Sequence, residues 1–163
     1  MDILAAQVGG ALQAHGLMLA TAESCTGGGV AQAVTEVAGS SAWFERGFVT
    51  YANQAKIEML GVSPETLRQY GAVSEATVRE MVLGALRHSH AQVALAVSGI
   101  AGPGGGTPDK PVGTVWFAWS LQGATVLTRC HRLAGDRSAV RAQSVRIALH
   151  GVLELLAAHT EVA

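Results

Sequence analysis

The chain has 163 residues, 49% hydrophobic and 14% charged, with a formal net charge of -1. So much aliphatic material with so few charges excludes extended disorder. The near-neutral balance excludes a chain whose main task is gripping nucleic-acid phosphates. One domain over residues 1–163 is expected from the length, and it can bury a core without disulfides or metals. The amino terminus has no basic segment followed by a long apolar run, and no stretch reaches the ~18–20 apolar residues a bilayer requires. A cytoplasmic location without a membrane span is therefore expected. Cys25 and Cys130 lie far apart and match no zinc spacing, so they read as two reduced thiols.

In chain order, Asp2 to His15 carries Ile3, Leu4, Val8, Ala11 and Leu12 at helical spacing, and Gly16 stops it. Leu17 to Ala22 is a short apolar run suited to a buried strand. Gly27 to Val37 reads as a helix opening directly from that strand, and Phe44 to Tyr51 as a second strand. Asn53 is read as the cap of a short helix through Leu60. Ser63-Pro64-Glu65 opens another helix, with serine as cap and proline in the first turn. Ser74 caps a longer helix to about His88, striped by Val78, Met81, Val82, Ala85 and Leu86. Val93 to Val97 is a near-continuous apolar strand, hence central and covered on both faces. Ser98 to Pro111 is irregular, Val112 to Ser120 and Thr125 to His131 form a hairpin, and Asp136 caps a final helix to about Ala158. This alternation predicts a three-layer α/β/α sandwich with a mixed, mostly parallel sheet of about five strands.

Ligands of open α/β sheets bind beyond the carboxyl ends of parallel strands. Three segments fall at such ends: Glu23 to Gly29, Thr50 to Asn53, and Ser98 to Gly102. In the first, the amides of a helix start would surround Ser24 and could receive a phosphate or a developing oxyanion. A plain helix cap by Ser24 or Thr26 satisfies the same residues. The chain holds two lysines, Lys56 and Lys110. A lysine in the first turn after Asn53 opposes the helix dipole, a penalty of about 0.3–1 kcal/mol. Lowering an amine from ~10.4 to the ~7–8 useful to a general base takes roughly 4 kcal/mol, so burial must supply the remainder. A surface lysine in a mildly unfavourable position is the competing reading. On the last helix Arg141 shares the inward face of Val145, Leu149 and Val152, with Arg137 near its edge. A phosphate contact or a salt bridge to a glutamate accounts equally for these arginines. The histidines show no metal spacing, and the three aspartates form no cluster.

Four blocks are more specific: TAESCTGG (Thr21 to Gly28), AGSSAWFERGFVTYANQAK (Ala38 to Lys56), GAVSE (Gly71 to Glu75) and SGIAGPGGGTPDKPVGTVW (Ser98 to Trp116). In this order they resemble the CinA carboxy-terminal domain family over essentially the whole chain. Longer members add an amino-terminal domain, so the chain resembles the stand-alone form. The resemblance implies hydrolysis of nicotinamide mononucleotide to nicotinic acid mononucleotide and ammonia. It implies metal-free serine chemistry with a lysine base and no cofactor. By motif, Ser24 becomes the nucleophile, Lys56 the base and Tyr51 an assistant that orients the lysine or relays a proton. Ser98 stands where threonine is common, and keeps a hydroxyl. Substrate-binding candidates are Thr26, Gly27, Gly28, Asn53, Ser98, Gly99, Gly102, Arg137 and Arg141. The small nucleotide is the expected partner, with neither nucleic acid nor membrane. The high aliphatic content and the tryptophans suggest a homo-oligomer, a dimer first. A silent nucleotide- or partner-binding domain, or hydrolysis of another small amide, are the rival readings.

Overall fold

The computed structural model describes residues 2–162. The elements are α1 (Asp2–Ala14), β1 (Leu19–Glu23), α2 (Gly29–Thr35), β2 (Phe44–Val49), α3 (Asn53–Leu60), α4 (Pro64–Tyr70), α5 (Glu75–Arg87), β3 (Val93–Gly99), β4 (Thr114–Leu121), β5 (Leu127–Arg132) and α6 (Arg137–Val162). They follow the order expected from the sequence, with a short 3-10 turn (Ser40–Ala42) added before β2. The sheet runs β2-β1-β3-β4-β5. β1 pairs parallel with both β2 and β3, while β4 is antiparallel to its two neighbours. Four strands therefore share one direction and β4 alone opposes them.

Side chains of different size fill the two faces of this sheet. Leu19, Val93, Leu95, Val97, Val115, Phe117 and Trp119 pack under α1, α2 and α6. On the opposite face Ala22, Ala96 and Ala118 stand side by side across β1, β3 and β4, beneath Val78, Met81, Val82 and Ala85 of α5. Such a row of methyl groups lets α5 lie close to the strands. The same close approach continues between helices, since a Cβ at Gly84 would sit 1.9 Å from the Leu60 carbonyl oxygen. Glycine at position 84 thus fixes where α3 ends against α5.

Several boundaries differ from the sequence reading. α2 starts at Gly29 because Gly27 (φ 60°) and Gly28 (φ 100°) are in the left-handed region and form the preceding turn. β2 stops at Val49, so Tyr51 lies beyond the strand, and β3 runs on through Ser98 and Gly99. Asn53 is the first helical residue of α3 and not its cap; Ala52 occupies the cap position without a side-chain bond. Asp136 does cap α6, accepting from the Ala139 amide at 2.9 Å, and Ser63 and Ser74 cap α4 and α5. Trp43 and Trp119 are buried and Trp116 is half-buried, so two of the three tryptophans belong to the core and not to an exposed surface. No helix among the described residues is long and apolar enough to cross a membrane.

Candidate active site

From β1 the chain passes through α2 to β2 on one side, then through α3, α4 and α5 to β3 on the other. The crevice opened by this reversal lies beyond the carboxyl ends of β1 and β3. Two hydrogen bonds extend the ladder past the strands there: the Ser24 amide donates to Val97 O at 3.0 Å and the Thr50 amide to Glu23 O at 2.8 Å. The ends of β1, β2 and β3 are thereby held side by side. A cleft of about 270 Å³ opens above them, lined among others by Ser24, Tyr51, Asn53, Lys56, Ser98 and Arg137.

Lys56 is 1% exposed. Its Nζ stands 2.9 Å from Ser24 Oγ, 2.9 Å from Thr50 O and 3.2 Å from Tyr51 O. An uncharged amine has two hydrogens and one lone pair, and this cradle matches them one for one. As an ammonium Nζ donates to all three oxygens; once it loses a proton, its two hydrogens keep the carbonyls and its lone pair can accept from the Ser24 hydroxyl. Burial pushes the amine down to about 8 from its ordinary 10.5. At pH 7 its uncharged fraction is then roughly a tenth, some 300 times that of a solvated lysine. Desolvation is the main cause, as the sequence arithmetic required. The dipole argument weakens, because the Lys56 amide already donates to Ala52 O and the residue sits beyond the first orphan amides of α3.

The turn carrying Ser24 is organised by a residue the sequence reading passed over. Glu23 closes β1, is fully buried, and receives three donors. The Thr26 hydroxyl and the Val30 amide donate to Oε1 at 2.6 and 2.8 Å, and the Ala31 amide donates to Oε2 at 3.0 Å. The start of α2 is thus occupied by an internal carboxylate and is not open to an external anion. The available signal was an acidic residue ending an otherwise apolar strand just before a glycine-rich helix start.

Of the expected site residues, Ser24, Tyr51, Asn53, Lys56, Ser98, Gly99, Gly102 and Arg137 converge on the cleft. Thr26, Gly27, Gly28 and Arg141 are not among its lining residues. Arg141 makes no salt bridge to a glutamate among the described residues: Nε donates to Cys25 O at 3.1 Å and Nη2 to Thr26 O at 3.2 Å, bracing the turn from outside. Tyr51 divides its functions. Its carbonyl cradles Lys56, while its phenol oxygen, on a side chain 60% exposed, accepts from Arg137 Nη2 at 3.0 Å. Arg137 Nη1 also donates to Gly102 O at 2.8 Å, so this guanidinium spans the cleft rim.

The model of the CinA C-terminal domain matches residues 1–156. The chain belongs to the CinA C-terminal domain family. It is 58% identical over 146 residues to the nicotinamide-nucleotide amidohydrolase PncC of Escherichia coli K12, covering 90% of this chain and 88% of that one. The protein of the same name from Pseudomonas putida is 53% identical over 152 residues, covering 93% and 94%. The crystal structure of the competence/damage inducible protein CihA from Agrobacterium tumefaciens superposes with a TM-score of 0.92 at 49% identity, covering 94% of each chain.

In this CinA domain a thiol adjoins the serine. Cys25 is buried, and desolvation pushes its thiol up to about 11, with the Glu23 charge adding to the rise. The thiolate, which is the reactive form, is therefore scarce. Cys130 lies exposed on β5. Iodoacetamide at pH 7.5 is expected to modify Cys130 and spare Cys25 in the folded protein, giving one carbamidomethyl group per chain by mass spectrometry. The Cys25→Ala variant is expected to keep most of whatever turnover the native chain shows.

Proposed function

We propose that this CinA domain, acting as a single domain in the cytoplasm, hydrolyses nicotinamide mononucleotide to nicotinic acid mononucleotide and ammonia, a step of pyridine-nucleotide salvage. The reading is supported by the names of its close relatives. The single observation that carries the chemistry is the buried 2.9 Å contact between Ser24 Oγ and a Lys56 amine with two carbonyl acceptors. In the proposed reaction Lys56 takes the Ser24 proton as the oxygen attacks the carboxamide carbon. The carbonyl π bond opens to an oxyanion, held by amides of the Cys25–Thr26 turn; the Gly27, Val30 and Ala31 amides already donate to Ser24 O and Glu23. The Lys56 ammonium returns its proton to the nitrogen, the C–N bond breaks, and ammonia leaves an ester on Ser24. Water, deprotonated by the same amine, then cleaves that ester.

Arg137 is proposed to receive the phosphate, since its guanidinium stands at the rim where the nucleotide tail would emerge. Tyr51 orients the base through its carbonyl and Arg137 through its phenol. At about 270 Å³ the cleft lies just below the roughly 300–1,000 Å³ of ligand pockets, which limits it to a small ligand such as part or all of one nucleotide. The test is ammonia release by the purified protein. Nicotinamide mononucleotide is expected to yield equal amounts of ammonia and nicotinic acid mononucleotide, with free nicotinamide turned over at least ~10-fold more slowly for want of the charge-assisted phosphate contact. Binding without ammonia release would make the chain a nucleotide-binding domain. Equal turnover of both compounds would remove phosphate from recognition.

A further inference from the structure

Glu23 occupies an unusual junction. Through its side chain it gathers Thr26, Val30 and Ala31, which fixes the turn bearing Ser24. Through its own carbonyl it accepts the Thr50 amide, and the Thr50 carbonyl in turn accepts from Lys56 Nζ. Nucleophile and base, which lie 32 residues apart in sequence, are thus referenced to one residue. We infer that Glu23 is the positioning residue of the site, its carboxylate holding Ser24 within hydrogen-bond reach of Lys56.

The residue type follows from the donors. Three N–H or O–H groups converge on two oxygens, and a carboxylate offers acceptors only. A glutamine would turn its own N–H₂ group against one of these donors and leave a buried donor without a partner. An aspartate, one methylene shorter, would not reach from the end of β1 to the first turn of α2. No arginine or lysine pairs with Glu23 among the described residues, so its entire support is the turn it organises. Loosening that turn moves Ser24 and admits water above Lys56. A displacement near 1 Å costs a reaction of this kind roughly 100-fold in rate.

This role rests on the amidohydrolase reading for its kinetic arm only. The chain has two lysines, so protein labelled with ¹³C at lysine Cε gives two NMR signals, that of Lys56 and that of the half-buried Lys110, whose Nζ donates to Tyr70 O; Lys56→Met assigns them. In the native protein Lys56 is expected to titrate near 8. In Glu23→Gln, checked for cooperative thermal unfolding, its midpoint is expected to climb toward 10.5, and kcat to fall about 100-fold with KM changed less than about threefold. Thr26→Val is expected to give the same changes in smaller measure, and Thr26→Ser to reverse them; this pair decides the matter if Glu23→Gln does not fold. A folded Glu23→Gln protein whose Lys56 titrates as in the native chain overturns the role, whether or not turnover falls. A native chain that releases no ammonia, but whose Lys56 midpoint still rises in Glu23→Gln, upholds the positioning role and sinks the hydrolase reading alone.

Discussion

Replacing Ser24 with alanine is expected to lower ammonia release by ~10³-fold or more while the fold persists. A nucleophile acting as a unit with its base leaves only binding and oxyanion stabilisation behind when it is removed. The structural cost is small. Ser24 keeps its amide bond to Val97 O, and the lost hydroxyl is one neutral partner of Lys56, worth about 1 kcal/mol. Circular dichroism and thermal unfolding should therefore be close to native, and the nucleotide should still bind. Turnover at the native rate in this variant would end the serine mechanism.

The second large effect concerns Lys56. Lys56→Arg keeps the charge but has no uncharged form in the accessible range, and its planar fork does not match one hydroxyl and two carbonyls. A loss of ~10³-fold is expected. In the native chain kcat/KM should rise with pH as the amine loses its proton and level off above about 8. Stability follows a related course with a definite sign. Below pH 8 the amine is protonated in both the folded and the unfolded chain. Between about 8 and 10.5 only the unfolded chain binds the proton, so the folded state gains stability as pH rises through this window. By the roughly 1.4 kcal/mol per pH unit of linkage, the gain approaches about 3 kcal/mol. Lys56→Met, which titrates in neither state, should lack that rise in urea unfolding measured at pH 7.5 and pH 10. Parallel pH dependence in the two proteins would show that Lys56 is solvated.

Much of this arrangement was legible in the residues. Capping serines, the apolar run of Val93 to Val97 and the hairpin set the element order, and that order brings Ser24, Tyr51 and Ser98 to one end of the sheet. Local pattern could not show the depth at which Lys56 lies. That depth comes from α3 ending against α5 at Leu60 and Gly84, a contact between segments far apart in the chain. For the same reason the arginine contacts escaped notice. Arg141 answers to the carbonyls of Cys25 and Thr26, which present no signature of their own in a sequence. Asn53 was misplaced as a cap because asparagine favours that position, whereas here Ala52 holds it and Asn53 faces the cleft.

The sheltered sulfur of Cys25 has a physiological consequence. Hydrolases that attack through a thiolate lose activity when peroxide converts it to sulfenic or higher acids. In the proposed mechanism the attacking atom is a hydroxyl oxygen, outside that chemistry, and the sulfur next to it is covered and held mostly as the thiol. An oxidant would therefore reach the outward Cys130 first, and the proposed hydrolysis would keep running under conditions that silence thiolate enzymes.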